Sequence, residues 1–213
     1  VGRPSRKQDI LEALARELET NPGERITTAG LAKAVGVSEA ALYRHFPSKA
    51  RIFEGLIAFA EDSVFSRINQ ILEDERQTRL RCGRILYLVL GFAEHNPGIT
   101  RVLLGDAIVG ERERLHERVE RFFERLATQL RQVLRESELR RDVTLRVSAE
   151  AGAAMLTAYV EGRMHQFLRT RFKALPLTDW EAVWQALQRG LFEVAPPVTQ
   201  PVAPPSGSPA ESA

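Results

Sequence analysis

Gly36 and Pro47 stand ten residues or so apart inside the stretch 25–53, each where a helix must stop, and they divide that stretch into three short helical pieces. The hydroxyl of Thr27 or Thr28 is placed to cap the first piece, which turns Leu31, Ala32 and Val35 inward. Gly36 ends it, because a left-handed residue after a helix strains glycine least. Val37 staples the turn to the core, Ser38 caps the second piece, and Pro47 closes it. Within that piece Leu42 and Phe46 lie four apart and face the first helix. Glu39, Ala40, Ala41, Tyr43, Arg44 and His45 are left outside, and Ser48 opens the next helix.

A short helix with a small, polar outer face fits the major groove of duplex DNA. Tyr43, His45 and Lys49 can donate hydrogen bonds to phosphate oxygens, and the free amides of the helix from Ser48 favour an anion. Those contacts would set the register of the helix. Base choice then falls to Glu39, Ala40, Ala41 and Arg44, with Arg44 as the bidentate guanine candidate and an alanine methyl opposite a thymine methyl.

The runs Thr27-Thr28, Leu31-Ala32, Val35-Gly36-Val37-Ser38, Ala41-Leu42-Tyr43-Arg44-His45-Phe46 and Ser48-Lys49 resemble the N-terminal domain of TetR-family regulators. The resemblance implies an all-α protein: a three-helix helix-turn-helix head on a larger helical-bundle body that dimerises. It also implies binding to palindromic double-stranded DNA as a homodimer, with Thr28, Tyr43, His45 and Lys49 at backbone-binding positions.

At 213 residues the chain holds one head and one body, each with its own core, read as 1–51 and 52–194 with a disordered Pro/Ala/Ser-rich tail at 195–213. The net charge is only +2, but residues 1–51 hold nine Lys or Arg against six Asp or Glu, so the positive excess sits at the DNA-facing end. Cys82 stands alone, which excludes an internal disulfide and suits a small core filler. Without an apolar run of membrane length or a secretion signal, the chain is expected in the cytoplasm.

Helical spacing predicts further elements. A first helix runs from Ser5, carries Ile10, Leu11, Leu14 and Leu18, and stops at Asn21-Pro22-Gly23; Arg3, Arg6 and Lys7 form a basic arm at its start. From Ser48 to about Asp74 a long helix can act as a lever between head and body. Residues 78–95 are apolar nearly all round, as in a buried central helix, and Asn96-Pro97-Gly98 ends them before a short helix at 99–107. From Glu111 to Ser137 a stripe of Leu115, Val119, Phe122, Leu126, Leu130 and Val133 has near-heptad spacing among alternating Glu and Arg. Only about three heptads are present, so a bundle helix is favoured over a two-stranded coiled coil. The last helices, 143–172 and 178–192, combine small residues from Ala149 to Ala154 with Trp180 and Trp184, and are read as the dimer interface.

The four histidines show no metal-ligand spacing, and neither a phosphate loop nor a nucleophile elbow occurs, so an enzyme, a metal and a cofactor are not expected. Two readings of the body remain: a pocket for a small ligand, as in a ligand-responsive repressor, or a surface that meets another protein. Glu61-Asp62-Ser63 through Arg67-Ile68-Asn69, Leu90-Gly91-Phe92, Asn96-Pro97-Gly98 with Thr100-Arg101, and Gln129 through Val133 resemble the nucleoid-occlusion branch of the family. That resemblance implies capture of the division GTPase FtsZ, so that septa do not assemble over DNA. It also implies that Phe59, Arg67, Leu88, Gly91 and Asn96 belong to the partner-binding groove. His95 stands where it calls for arginine. Spacing agrees independently: Phe59, Ser63 and Arg67 share one helix strip, and Leu88, Gly91 and His95 share another. Side by side, the strips would form a groove in which Gly91 lets a peptide backbone approach and Arg67 attracts acidic residues.

Overall fold

The computed structural model describes residues 6–21, 26–111 and 113–193; Arg3, the Ser5 start, the Pro22-Gly23 stop and the tail 195–213 lie outside them. The described residues form α1 (Arg6–Thr20), α2 (Thr28–Val35), α3 (Glu39–His45), α4 (Lys49–Asp74), α5 (Thr78–His95), α6 (Pro97–Leu103), α7 (Glu113–Arg140), α8 (Ala149–Arg169) and α9 (Trp180–Leu191). A single turn of 3₁₀ helix at Asp106–Ile108 links α6 to α7.

Local chemistry explains the head. Thr27 Oγ1 accepts from the Gly30 amide at 3.1 Å to start α2, and Gly36 ends it at φ 73°. Ser38 Oγ accepts from Ala41 N, and Ser48 Oγ from Arg51 N, so both remaining starts are capped as their hydroxyls predict. Ile10, Leu14 and Leu18 of α1 are buried with Leu31 and Leu42 in one core that continues without a break into the body. Position 51 therefore falls inside the first turn of α4 and not in a linker.

The joint between head and body is α1 against α6. A Cβ built on Gly98 would lie 2.0 Å from the Ala15 carbonyl oxygen, so the two helices touch backbone to backbone. Arg101, 2% exposed, donates from Nη1 to the Leu18 carbonyl at 2.8 Å and the Asn21 carbonyl at 3.2 Å, and from Nε to Asp106 at 2.6 Å. It thus supplies donors to the carbonyls that the end of α1 leaves open. Arg81 does the same for α4, donating to Leu72 O and Glu75 O at 2.6 Å each and to Glu136 at 3.1 Å.

In the body α5 is central, packed against α4, α6, α7, α8 and α9. The α7 stripe lies along α8 and α4 of the same chain, and Phe122 meets Phe65 edge to face. Both ends of α6 and of α8 differ from their sequence expectation. Pro97 occupies the first turn of α6, so Asn96-Pro97-Gly98 both ends one helix and begins the next, and α6 stops at Leu103 before the left-handed Gly105. The helix expected at 143–172 begins only at Ala149, capped by Ser148, because 143–147 is drawn out to pair with the end of α9: Leu145 bridges Phe192, and Glu193 N donates to Thr144 O at 2.9 Å. Its other end is Arg169, after which Arg171 and Phe172 turn left-handed.

The residues assigned to a dimer interface divide into two sets. Trp180 and Trp184 turn into their own chain, stacked at 5.7 Å and 4°, and Ala149, Gly152, Ala153 and Leu156 are buried with them. Ala151, Ala154, Met155 and Ala158 of α8, with Ala182 and Ala186 of α9, remain as an exposed small-residue face.

Candidate nucleic-acid interface and partner groove

The outer face of α3 exposes Glu39, Ala40, Tyr43 and Arg44, with Ala41 and His45 half-buried beside them. Thr28 Oγ1 donates to the Glu39 carboxylate at 3.0 Å, and the Tyr43 hydroxyl donates to Thr28 Oγ1 at 3.4 Å. The start of α2 and the face of α3 are thereby tied through three of the expected contact residues. Glu39 is held by Thr28 at the rim, whereas Ala40 and Arg44 have the more open positions for base edges. Lys49, expected on phosphate, pairs with Glu111 at 2.7 Å in this conformation and lies 5.6 Å from the Phe53 ring centre. The sequence held no signal for that pair, since Glu111 comes from the connection before α7.

On the opposite flank of α4 a groove of about 970 Å³ opens between α4, α5 and α9. Phe59, Arg67, Leu88, Gly91, His95 and Asn96, all six of the expected partner-binding residues, line it. His95 Nδ1 is 2.8 Å from the Gly91 carbonyl, and Asn96 Nδ2 donates to Phe92 O at 2.8 Å, so both side chains brace the end of α5. Gly91 is not the tightest glycine: a Cβ there would make ordinary contact with Leu177 at 3.6 Å, whereas one on Gly83 would meet the Trp184 indole at 2.8 Å. Gly83 is what lets α9 lie flat on α5.

Sequence reasoning missed half of the groove. Leu80, Arg84 and Tyr87 continue the α5 strip toward its N-terminus and line the same space. Their spacing with Gly91 was the available signal. Trp180 and Trp184 form the far wall, with Tyr87 edge-on to Trp180 at 5.7 Å, and nothing local in the sequence directs them there. Arg67 and Arg84 project as exposed cations, the latter paired with Glu75 at 3.2 Å. The Gln77 amide above all, then the Arg76 amide and Arg84, hold the Glu75 carboxyl below its ordinary value. Burial pushes the Cys82 thiol up to about 12, which makes it an unreactive filler. Among the described residues no cluster could hold a metal ion, and no helix is long and apolar enough to cross a membrane.

Known proteins align with both regions. The family model described as bacterial regulatory proteins of the tetR family matches residues 10–56, and the SlmA-like model, described as a tetracyclin repressor-like C-terminal domain, matches 76–192. The nucleoid occlusion factor SlmA of Alteromonas mediterranea is 53% identical over 189 residues, covering 89% of this chain and 97% of that protein. Its namesake from Shewanella amazonensis is 54% identical over 189 residues, covering 89% and 96%. Among solved structures, the fatty acid degradation regulator FadR of Bacillus halodurans superposes with a TM-score of 0.76 at 12% identity, covering 89% of this chain and 98% of that one. The Bacillus subtilis FadR in complex with stearoyl-CoA has a TM-score of 0.69 at 14% identity, covering 85% and 97%. At such identities the two structures speak for a shared fold alone.

Proposed function

The chain belongs to the TetR family, in its SlmA-like group, and from that premise we propose that it is a nucleoid-occlusion factor. As a homodimer it binds palindromic chromosomal sites through α3 and, while bound, captures an acidic segment of FtsZ in the groove between α4 and α5. The observation that carries this reading is the convergence of Phe59, Arg67, Leu88, Gly91, His95 and Asn96 on one outward-facing groove. Its floor is apolar and its rim is cationic, the combination that holds an extended peptide by side-chain burial and selects acidic sequence by charge. Phe59 and Tyr87 stand exposed on the walls, so the space is a surface trough and not the closed chamber of a small-molecule sensor.

The exposed small residues of α8 and α9 suit close packing against a second copy, which would set two α3 helices about 34–36 Å apart, one turn of DNA. Helix α4 connects the two activities: its 26 residues span about 39 Å, from Lys49 at the DNA end past Phe59 and Arg67 in the groove. We expect the protein at the nucleoid, with septum assembly as its target and no catalytic step.

Pull-down of FtsZ with and without specific DNA tests the reading. Recovery of FtsZ that increases with DNA is the expected result. A protein that binds its DNA site, ignores FtsZ and releases that site on adding a small apolar molecule would replace this reading with a ligand-responsive repressor.

A further inference from the structure

Both tryptophans of the chain, Trp180 and Trp184, line the groove, and the polypeptide leaves the described structure beside it. Helix α9 runs antiparallel to α5: Trp180 meets Tyr87, Trp184 meets Gly83, and Phe192 lies under Arg79, whose guanidinium carbon is 5.0 Å from the ring centre. Arg79 also donates to the Glu193 carbonyl at 2.6 Å. The exit point is therefore one residue from Leu80, at the upstream end of the groove. Past this exit the chain carries Pro196-Pro197, then Pro201-Val202-Ala203-Pro204-Pro205, with Glu211 as the only charged side chain from 194 onward.

We propose that the proline-rich segment 196–205 docks in the aromatic groove of its own molecule, as an internal ligand that a partner peptide must displace. Proline-rich sequence favours the polyproline II helix, which has no internal hydrogen bonds and loses little entropy on binding, and aromatic-lined grooves are its usual receptors. Leu80, Tyr87 and Phe59 are large apolar side chains left exposed along this one groove, with Tyr87 at 51%. Lengths agree: Leu80 to Asn96 spans about 24 Å of helix, which roughly eight residues of polyproline II cover at 3.1 Å each. The segment 196–205 has no charged side chain, which suits burial against the apolar side chains of the groove between Arg67 and Arg84 at its rim. The SlmA-like family model stops at residue 192, so the docking segment lies beyond the region this chain shares with that family model.

Because Trp180 and Trp184 are the only tryptophans of the chain, acrylamide quenching of fluorescence excited selectively in tryptophan reads the groove directly. The full chain is compared with a variant ending at Glu193. Tethering supplies an effective concentration on the order of 1 mM, so the truncated protein should be quenched about twofold more strongly. A synthetic peptide of residues 194–213 should restore protection saturably, and the same peptide with Pro201, Pro204 and Pro205 changed to Ala should not. Leu80→Ala in the full chain, a surface change that leaves the helical circular dichroism intact, should also lose the protection. Equal quenching of full and truncated chains, or protection by the alanine peptide, overturns the proposal. Protection that disappears on dilution would assign the segment to a neighbouring copy and overturn it in this form. None of these readings uses FtsZ, so they stand apart from the proposed function.

Discussion

The proposed DNA-facing surface and the proposed partner groove are built in opposite ways. The first uses Thr28 to Lys49, a continuous run in which α3 buries only Leu42 and leaves Ala40 and Arg44 of its outer face open. The second draws Phe59 and Leu88 from the consecutive helices α4 and α5 and Trp184 from the distant α9, and its walls double as core: Trp184 is 8% exposed and rests on Gly83. A surface carried by a short local motif can change its specificity without changing its stability. A groove made from packing cannot, and α1 against α6 couples the two.

Substitution at that joint should have the largest effect. Gly98→Ala forces a methyl into the Ala15 carbonyl, and about 3 kcal/mol of stability should be lost. Urea titrations followed by both circular dichroism and tryptophan emission should shift together. Emission from Trp180 and Trp184 that stays at the wild-type midpoint would mean that head and body unfold independently, and the coupling would be void. Next is Arg67→Asp, which reverses the cation on the groove rim and should weaken an FtsZ tail peptide by about tenfold or more while operator affinity is unchanged. Anisotropy with both ligands decides; unaltered peptide binding removes Arg67 from the site.

Two head variants sharpen the contrast. Lys49→Ala should weaken DNA by about tenfold across all sequences and lower the salt slope by about one unit, whereas Arg44→Ala should relax base preference by about 1–3 kcal/mol at one position. Competition binding at two salt concentrations separates them, and a sequence-selective loss from Lys49→Ala would reverse the assignment. Glu111→Gln frees Lys49 from its pair at 2.7 Å and should tighten DNA by about two- to threefold, as a partly exposed ion pair permits. Weaker binding would show that Glu111 positions Lys49 for phosphate and does not compete with it.

The smallest effect concerns pH. Glu75 has a folded pKa below its ordinary value, so its contribution is present above the ordinary carboxylate range and is lost as pH falls through the lowered folded value. Thermal midpoints of the wild type and Glu75→Gln should therefore converge on acidification. Parallel profiles would show that its hydrogen bonds to the Arg76 and Gln77 amides add nothing to the α4–α5 turn.

Much of the head was legible because capping is local: a hydroxyl three residues before an amide, and a glycine at positive φ, act through nearest neighbours. The α4 and α5 strips were legible for the same reason, since 3.6-residue periodicity places Phe59 with Arg67 and Leu88 with His95. The start of α8 was not, because helical spacing carries no trace of the pairing between Leu145 and Phe192. The roles of Arg81 and Arg101 were not legible either, because the carbonyls they cap lie at the ends of α4 and α1, outside their own helices.

Alone, then, the sequence determined most of the helices, the exposed face of α3 and the family to which the chain belongs, because caps, breaks and periodicity are encoded within a few residues of where they act. Tertiary structure decided that Lys49 meets Glu111, that Gly98 and Arg101 bind head to body, and that two tryptophans complete a groove begun by α4 and α5. Those contacts join residues dozens of positions apart, and only packing in three dimensions selects one such pairing among the many that composition allows.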